Sequence, residues 1–306
     1  MRYDPVYKNA RKHNVSIDSF DDYLKYADQL IQKAIGRKAV AVKNALPYIR
    51  NLEFADVSYE RAKALFDKSA TVELSTEEKK AIQDYMVHWT IEKASEYGVP
   101  IQIHTGYLAG NGNTLSNSQP LDLNPLFLKY PKVKFVLFHG SYPWTGEYCA
   151  LGKMFPNVYL DLVWLPQISR SAAIRTFDEM LDMVPYNKFF WGGDCVFIEE
   201  STGALEYGKE VIAEVLASRV GRGLMTEDLA RDVARGIFRE NAITVFRLEN
   251  RLARPHETHA GPEGRSERSA PLNREGPQSD AGSKPSRDGA RRDQDATVSS
   301  AIVAED

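Results

Sequence analysis

The sequence predicts an α/β fold of parallel strands that alternate with helices, and three observations carry this prediction. Short apolar runs alternate with segments of helical periodicity from Lys38 onward, as expected for strands joined by crossover helices. Polar residues end several of these runs, and barrel enzymes place their active sites at the carboxyl ends of strands. No glycine-rich GxGxxG fingerprint follows any run, which disfavours a nucleotide-binding open sheet. Together they favour a TIM-like (β/α) barrel over an open doubly wound sheet.

The composition is that of a chain with one sizeable hydrophobic core. The 306 residues are 43% hydrophobic and carry a net charge of -3, which gives no reason to expect nucleic acid or a membrane as partner. The two cysteines, Cys149 and Cys195, do not suggest a disulfide framework and fit a reducing compartment. No apolar run approaches the roughly 20 residues of a membrane helix, and the first residues lack the apolar core of a signal peptide. We therefore expect a cytoplasmic protein.

The first elements are assigned from caps and periodicity. Residues 1–15 are polar, and Arg2 to Pro5 is interpreted as the end of a strand. Ser19 is a good N-cap for a helix that runs to about Ile35 and ends at Gly36. The further predicted elements are helices over 60–68, 75–98, 126–130, 148–154, 169–181, 203–219, 226–237 and 239–248, and strands ending near residues 44, 105, 140, 164 and 194.

Three of the predicted strands end on a residue that can bind a metal. His104 ends GVPIQIHTG, His139 ends KFVLFHGS and Asp194 ends KFFWGGDC. A buried strand is a nearly continuous apolar run, so a polar residue at its end is poorly explained by packing. Neutral imidazole is a good ligand for Zn²⁺, and a carboxylate beside the ion can also take a proton from water. The pattern predicts a metal site.

The last part of the chain differs in character. Residues 251–306 contain no aromatic residue and few large aliphatic ones, so they cannot bury enough surface to offset their ordering entropy. We expect a barrel domain over 1–250 and a disordered tail over 251–306. His256 and His259 have H-x-x-H spacing, but no capping pattern or second pair of ligands supports a metal site there.

The motifs IHTG, LFHGS and WGGD, in this order and spacing, resemble those of the amidohydrolase superfamily, in its amidohydrolase-related (amidohydrolase 2) branch. The resemblance covers about residues 20–248, and it extends to NVYLDLVWLP and to RENAITVFRL, which looks like the closing helix of such barrels. It implies a metal-dependent hydrolase in which a metal-activated water attacks a C–N or C–O bond of a small substrate. A decarboxylase or another lyase on the same fold is the alternative.

The resemblance also implies roles for individual residues, with the three motifs on barrel strands five, six and eight. His104 would be a metal ligand, His139 a ligand or a donor to the substrate oxygen, and Asp194 a ligand and proton shuttle. The expected cofactor is a divalent metal, Zn²⁺ first and Mn²⁺ second. Lys43 would end strand four, either as a carboxylated lysine that bridges two cations or as a rim lysine that reaches water or a carboxylate.

Loop residues that follow the strands are candidates for binding the substrate. Arg50 follows the strand of Lys43, and its guanidinium suits a substrate carboxylate. Tyr107, Trp144 and Trp164 follow strands five, six and seven and are candidates for the pocket wall.

One feature departs from the family pattern. Members of the family carry H-x-H or E-x-H at the end of strand one, whereas this sequence has no H-x-H. We therefore expect a barrel that is incomplete at its N-terminal side and that binds metal weakly, with a non-catalytic remnant as a further alternative. Open strand edges invite pairing with another chain, so a homo-oligomer is also expected.

Overall fold

The computed structural model describes residues 5–249. The prediction of a disordered tail over 251–306, with His256 and His259, lies outside the described residues. The interpretation of Arg2 to Pro5 as a strand end is wrong for its described part, because Pro5 begins a helix. Proline suits the first turn of a helix, where its missing N–H would have no partner in any case.

Five short strands form one parallel sheet whose spatial order is the order of the chain. Each strand pairs in parallel with the next, for example Lys43 with Gln102 and Gln102 with Val136. A doubly wound sheet reverses its strand order at a switch point, and this sheet does not. The architecture is therefore the predicted α/β barrel type. The strands are β1 Val42–Asn44, β2 Ile101–Ile103, β3 Phe135–Leu137, β4 Val158–Asp161 and β5 Phe189–Phe190.

Helices connect the strands and cover one face of the sheet. They are α1 Pro5–Lys12, α2 Phe20–Gly36, α3 Tyr59–Lys68, α4 Thr76–Tyr97, α5 Asn124–Lys129, α6 Thr145–Met154, α7 Leu165–Ile168, α8 Arg170–Met183, α9 Ile198–Gly221, α10 Glu227–Arg235 and α11 Asn241–Phe246. A π-helical segment, Gly236–Glu240, joins α10 to α11. Each predicted helix is present, and α1 and α7 are additional. Among residues 5–249, no helix is long and apolar enough to cross a membrane.

The caps of α4 direct the chain into β2. The Ser75 hydroxyl accepts from the Glu78 N–H at 3.2 Å, and the Glu78 carboxylate accepts from the Ser75 N–H at 3.1 Å. This capping box satisfies two N–H groups that the first helical turn leaves free. At the other end Gly98 adopts a left-handed conformation with φ 68°, which glycine adopts without steric cost. The chain turns there and enters β2 at Ile101.

The two faces of the sheet differ. One face packs its apolar residues against the helices in the main core, which includes Ile103, Leu137 and Leu160 together with Phe177 of α8. The opposite face carries Lys43 and Gln102 in its first two strands, and further along it packs Val136, Phe138 and Phe190 against Val245 of α11. The polar residues of this second face, Lys43 and Gln102, lie near the carboxyl ends of β1 and β2.

A second core lies at the N-terminal side of the chain. Phe20 and Tyr23 of α2 pack against Phe66 of α3, with ring centroids 5.2 and 5.6 Å from Phe66. Ile82 and Met86 of α4 belong to the same cluster. The first three helices are thereby fixed to α4, which in turn leads into β2.

Candidate active site

The imidazole rings of His104 and His139 meet at the carboxyl ends of β2 and β3. His104 directly follows β2, whereas His139 begins a short turn, His139–Ser141, just beyond β3. The Nδ1 atom of His104 lies 3.1 Å from the Nε2 atom of His139, and the two residues are 3% and 0% exposed. Adjacent parallel strands thus bring the two motifs together, as the sequence predicts.

Backbone carbonyl groups fix the tautomers of both rings. The Nε2–H of His104 donates to the carbonyl oxygen of Tyr107 at 2.9 Å, and the Nδ1–H of His139 donates to that of Val163 at 3.2 Å. Because a carbonyl oxygen only accepts hydrogen bonds, each of these nitrogens carries the proton. The two nitrogens that face each other then both present a lone pair.

Facing lone pairs at this distance repel each other, and a positive charge between them would relieve that repulsion. A proton is disfavoured there, because burial and the charge of Lys43 lower the pKa of His104 to about 3. Burial and the neighbouring His104 and Lys43 also hold the pKa of His139 well below its usual range. Two imidazoles on one tetrahedral Zn²⁺ place their nitrogens about 3.3 Å apart, given Zn–N bonds of roughly 2.0–2.1 Å. The pair therefore fits a shared divalent cation.

Asp194 lies beside the histidine pair. Its Oδ2 atom is 3.7 Å from Nε2 of His139 and 3.9 Å from Nζ of Lys43. As they stand, no three His, Cys, Asp or Glu side chains within residues 5–249 form a complete group for holding a metal. Two imidazoles with one carboxylate nearby are nevertheless a donor set that Zn²⁺ accepts.

Lys43 also reaches this region. Its Nζ atom lies 3.2 Å from the centroid of the Phe138 ring, in a cation–π contact. Burial lowers the pKa of Lys43 to about 8, although the carboxylates of Asp194 and Asp161 act against this shift. Its carboxylation, which the resemblance raised, stays a prediction.

A cavity of about 450 Å³ opens beside Lys43 and Asp194. The two histidine rings lie next to it, outside its lining. The lining residues come from the strand ends and from α11: Lys43, Gln102, Phe138, Asp161, Val163, Phe190, Trp191, Gly192, Gly193, Asp194, Ala242 and Phe246.

Trp164 connects the histidine pair to Asp194. Its ring stacks on that of His139, with centroids 4.6 Å apart and planes 24° apart, and it meets His104 edge-on at 6.1 Å. Its indole N–H donates to the backbone carbonyl oxygen of Asp194 at 3.0 Å. The sequence places Trp164 in the pocket wall, and the structure places it against the site residues themselves.

The other three predicted substrate-binding residues are not brought into the site in the same way. The guanidinium of Arg50 pairs with Asp84 at 2.6 Å, and its further hydrogen bonds go to nearby loop residues and to α4. Its charge is thus engaged inside the fold, which corrects the expectation of a group free for a substrate carboxylate. Tyr107 contributes its backbone carbonyl to His104, while the residue is 42% exposed. Trp144 precedes α6 and is half-buried.

Two site residues were missed by the reasoning from sequence. Asp161 ends β4 and is 4% exposed, and burial raises its pKa to about 7. The run VYLDLVW was interpreted as a strand, and an acidic residue near its end is the same signal that selected Asp194. Tyr48 packs its ring edge-on against His104 at 4.9 Å, and its hydroxyl accepts from the Ala109 N–H at 3.1 Å. Its place in a short 3-10 turn gave no comparable signal.

The backbone at the site is held in a sparsely populated conformation. His139, Trp164 and Asp194 have φ values of 65°, 62° and 46°, in the left-handed region that non-glycine residues rarely adopt. Each such residue costs of the order of 1–3 kcal/mol and persists only where its surroundings impose it. Strained residues of this kind cluster at functional sites.

The parallel strands follow one another in chain order, and a histidine pair and a carboxylate lie at their carboxyl ends. This is the arrangement of barrel enzymes, whose active sites lie at the carboxyl ends of the strands. The family model described as amidohydrolase matches residues 50–248. The chain belongs to this amidohydrolase family, which suggests a divalent metal as cofactor.

Individual relatives agree with this assignment. The chain is 32% identical over 186 residues to the protein fluG of Emericella nidulans, a match that covers 58% of this chain and 21% of fluG. It thus spans about a fifth of the length of that relative. Among solved structures, a protein of proposed metal-dependent hydrolase function from Lactobacillus casei superposes with a TM-score of 0.66 at 23% identity, over 77% of this chain and 62% of the other. Uronate isomerase from Thermotoga maritima gives a TM-score of 0.71 at 18% identity, over 79% and 57%. At these identities the two structures support the fold alone.

Proposed function

We propose that this protein is a metal-dependent hydrolase that uses an activated water to cleave a C–N or C–O bond of a small molecule. The divalent cation, Zn²⁺ first and Mn²⁺ second, would be held by Nδ1 of His104 and Nε2 of His139. The observation that carries the proposal is the 3.1 Å distance between Nδ1 of His104 and Nε2 of His139, whose facing lone pairs favour a cation between them. Family membership supports it independently.

The chain's own residues supply orientation and proton transfer. A divalent cation at the histidine pair supplies Lewis acidity when it is bound. The carbonyl groups of Tyr107 and Val163 hold each imidazole in the tautomer that leaves its ligating nitrogen free. Asp194, with Oδ2 3.7 Å from Nε2 of His139, would take the proton of the attacking water and return it to the leaving group.

The cavity and Lys43 suggest the kind of substrate. A volume of about 450 Å³ is within the range of pockets that bind small molecules. Lys43 faces it with a cation that is only partly neutralised by Asp194 at 3.9 Å. We infer that the substrate carries an anionic or strongly polarised oxygen, which this ammonium group would position.

A decarboxylase or another lyase on the same site is the second candidate. The observation that favours it is the same ammonium group of Lys43 beside Asp194, because a cation in a partly buried cavity stabilises the negative charge that stays on the substrate when its carboxylate departs as carbon dioxide. The two candidates share the metal site and differ in their product. Release of carbon dioxide would assign the lyase, whereas incorporation of labelled oxygen from water into the product would assign the hydrolase.

Calorimetric titration of the metal-free protein with Zn²⁺ and with Mn²⁺ tests the metal site. We expect one saturable site in the parent protein and its loss in His104→Ala. The matched control is His88→Gln. His88 is also buried, but it lies in α4 and its ring is hydrogen-bonded to the hydroxyl of Tyr130, so this variant should bind metal as the parent protein does. Equal binding by His104→Ala and the parent protein would refute the proposed site.

A further inference from the structure

The carboxyl group of Asp161 lies between the two segments that carry the site residues. Asp161 is 4% exposed at the end of β4. Its Oδ1 atom accepts from the N–H of Val163 at 3.0 Å, and its Oδ2 atom lies close against Gly192. Val163 precedes Trp164, and Gly192 precedes Asp194 by two residues. One side chain therefore joins the loop after β4 to the loop after β5.

The first of these connections leads to His139. The peptide N–H of Val163 is held by Asp161, and the carbonyl oxygen of the same residue accepts from Nδ1–H of His139 at 3.2 Å. A residue whose N–H is fixed has a restricted orientation for its carbonyl group as well. The carboxyl group thereby acts on the tautomer and the ring orientation of His139, which decide whether its Nε2 lone pair points at His104.

The second connection leads to Asp194. A Cβ atom at Gly192 would lie 3.0 Å from Oδ2 and 3.4 Å from Oδ1 of Asp161, closer than ordinary van der Waals contact. Glycine at this position therefore lets the carboxyl group approach the backbone that delivers Asp194. This contact is a physical reason for the first glycine of the motif WGGD.

We propose that Asp161 is a positioning residue that sets the orientation of His139 through Val163 and the placement of Asp194 through Gly192. Its Oδ1 atom accepts from the N–H of Val163 and its Oδ2 atom lies against Gly192, so its role is to hold the site rather than to bind the metal. The metal-dependent part of this proposal rests on the proposed function, and the part concerning the His139 tautomer does not. Partners of metal-binding residues commonly change metal affinity by 10- to 100-fold when they are removed.

The test compares Asp161→Ala, Asp161→Asn and Asn157→Ala with the parent protein. Asn157 is a matched control because it immediately precedes β4, is 7% exposed, and makes two hydrogen bonds to backbone, with the carbonyl groups of Phe127 and Tyr130. The His139 tautomer is measured in the metal-free protein by ¹⁵N NMR of labelled histidine, with His139→Gln for assignment. Zn²⁺ affinity is measured by calorimetry, and folding by thermal denaturation.

In the parent protein we expect the Nδ1–H tautomer of His139. Asp161→Ala should produce a mixture of tautomers and weaken Zn²⁺ binding by about 10- to 100-fold. Asn157→Ala should lower the melting temperature and leave both readouts unchanged. In Asp161→Asn the amide oxygen still accepts from Val163, while a neutral NH₂ group replaces the oxygen that lies against Gly192, so the tautomer should be retained and the Zn²⁺ affinity reduced.

Two results would overturn the proposal. One is an Asp161→Ala protein whose tautomer and Zn²⁺ affinity match those of Asn157→Ala. The other, which applies if the alanine variant does not fold, is an Asp161→Asn protein with the parent's Zn²⁺ affinity. A parent protein that binds no Zn²⁺ would refute the proposed function, while the tautomer of His139 in Asp161→Ala would still decide whether Asp161 positions that ring.

Discussion

The indole N–H of Trp164 donates to the backbone carbonyl oxygen of Asp194 across 3.0 Å. Because the same indole ring stacks on His139, one side chain contacts both the histidine pair and the backbone of Asp194. The carboxylate follows β5 and the histidine follows β3, so this contact spans the strand between them. Trp164 therefore connects the loop after β5 to the imidazole rings.

Replacing Trp164 separates its two contacts. Trp164→Phe keeps a ring for stacking on His139 and loses the hydrogen bond to Asp194, so we expect the free energy of unfolding to fall by about 0.5–1.5 kcal/mol. Trp164→Ala also removes the stacking, which adds about 0.5–1.5 kcal/mol beyond the loss of buried area. Urea denaturation followed by circular dichroism measures both. Equal stability of the two variants would show that the stacked ring contributes nothing.

Arg50 offers a test between a structural and a substrate-binding role. Its ion pair with Asp84 has side chains 11% and 2% exposed, and Lys80 remains as a second partner at 2.9 Å when Arg50 is removed. We expect Arg50→Met to lower the free energy of unfolding by about 1.5–3 kcal/mol, as for hydrogen bonds to charged groups, and to leave Zn²⁺ affinity unchanged.

The control for Arg50 is Arg170→Met. The pair of Arg170 with Glu214 is exposed, at 42% and 47%, so its loss should change stability by less than about 1 kcal/mol. Denaturant titration of both variants makes the comparison. A stable Arg50→Met protein with reduced substrate binding would restore the role that the sequence suggested.

Gly106 lies where two loops of the site touch. It has φ 74°, and a Cβ atom there would be 2.3 Å from the backbone carbon of Ser141, so Gly106→Ala requires the loops after β2 and β3 to separate. We expect the free energy of unfolding to fall by at least about 3 kcal/mol, since both strain at positive φ and overpacking contribute. Gly203→Ala is the matched control, because that helical position has open space and alanine there should stabilise the protein by about 0.5–1 kcal/mol.

The buried histidine His88 gives a pH dependence of stability. Burial, and secondarily Lys129, lowers its pKa in the folded protein, whereas in the unfolded chain it titrates near 6.5. As the pH falls below about 6.5 the unfolded chain binds a proton that the folded protein does not, so the free energy of unfolding decreases. Above the pKa of the unfolded chain, His88 is neutral in both states and its contribution to stability is kept in full.

The measurement is urea denaturation of the metal-free protein between pH 5 and 8, for the parent and for His88→Gln. Asp161 has a raised pKa of about 7 and acts in the opposite direction, because its folded form binds the extra proton and loses stability as the pH rises through that value. Subtracting the two curves of unfolding free energy against pH cancels the contributions of Asp161, His104 and His139, which both proteins share. The parent should lose more stability than His88→Gln toward pH 5, and parallel curves would contradict the prediction.

Local signals in the sequence were sufficient for most of the elements. Ser19 was predicted as an N-cap and a helix was predicted over 75–98, and Ser19 and Ser75 each accept a hydrogen bond from the N–H three residues later. Gly98 was predicted as the end of a helix and adopts the left-handed conformation that such an end requires. These features depend on residues a few positions apart, which is why a single sequence reveals them.

Contacts between distant residues could not be predicted in the same way. His104, His139 and Asp194 were predicted from strand-end motifs. Parallel pairing brings the two histidines together, and Asp194 lies beside them. The sequence did not indicate that Asp84, 34 positions from Arg50, neutralises that guanidinium. It also placed His139 at a strand end, whereas β3 ends at Leu137 and His139 lies in the following turn. Both outcomes are set by tertiary packing rather than by local propensity.

The left-handed backbone at His139, Trp164 and Asp194 places stability and chemistry in opposition. Glycine at any of these positions would relieve strain of the order of 1–3 kcal/mol and would delete the side chain that the site needs. At His139 and Trp164 the lost packing opposes that relief, whereas the side chain of Asp194 is 36% exposed. A library of this protein selected only for heat resistance should therefore accumulate glycine at position 194 and lose the carboxylate of the proposed site. Thermostabilised versions intended for catalysis need a functional screen at every round, because the easiest gains in stability lie in the active site itself.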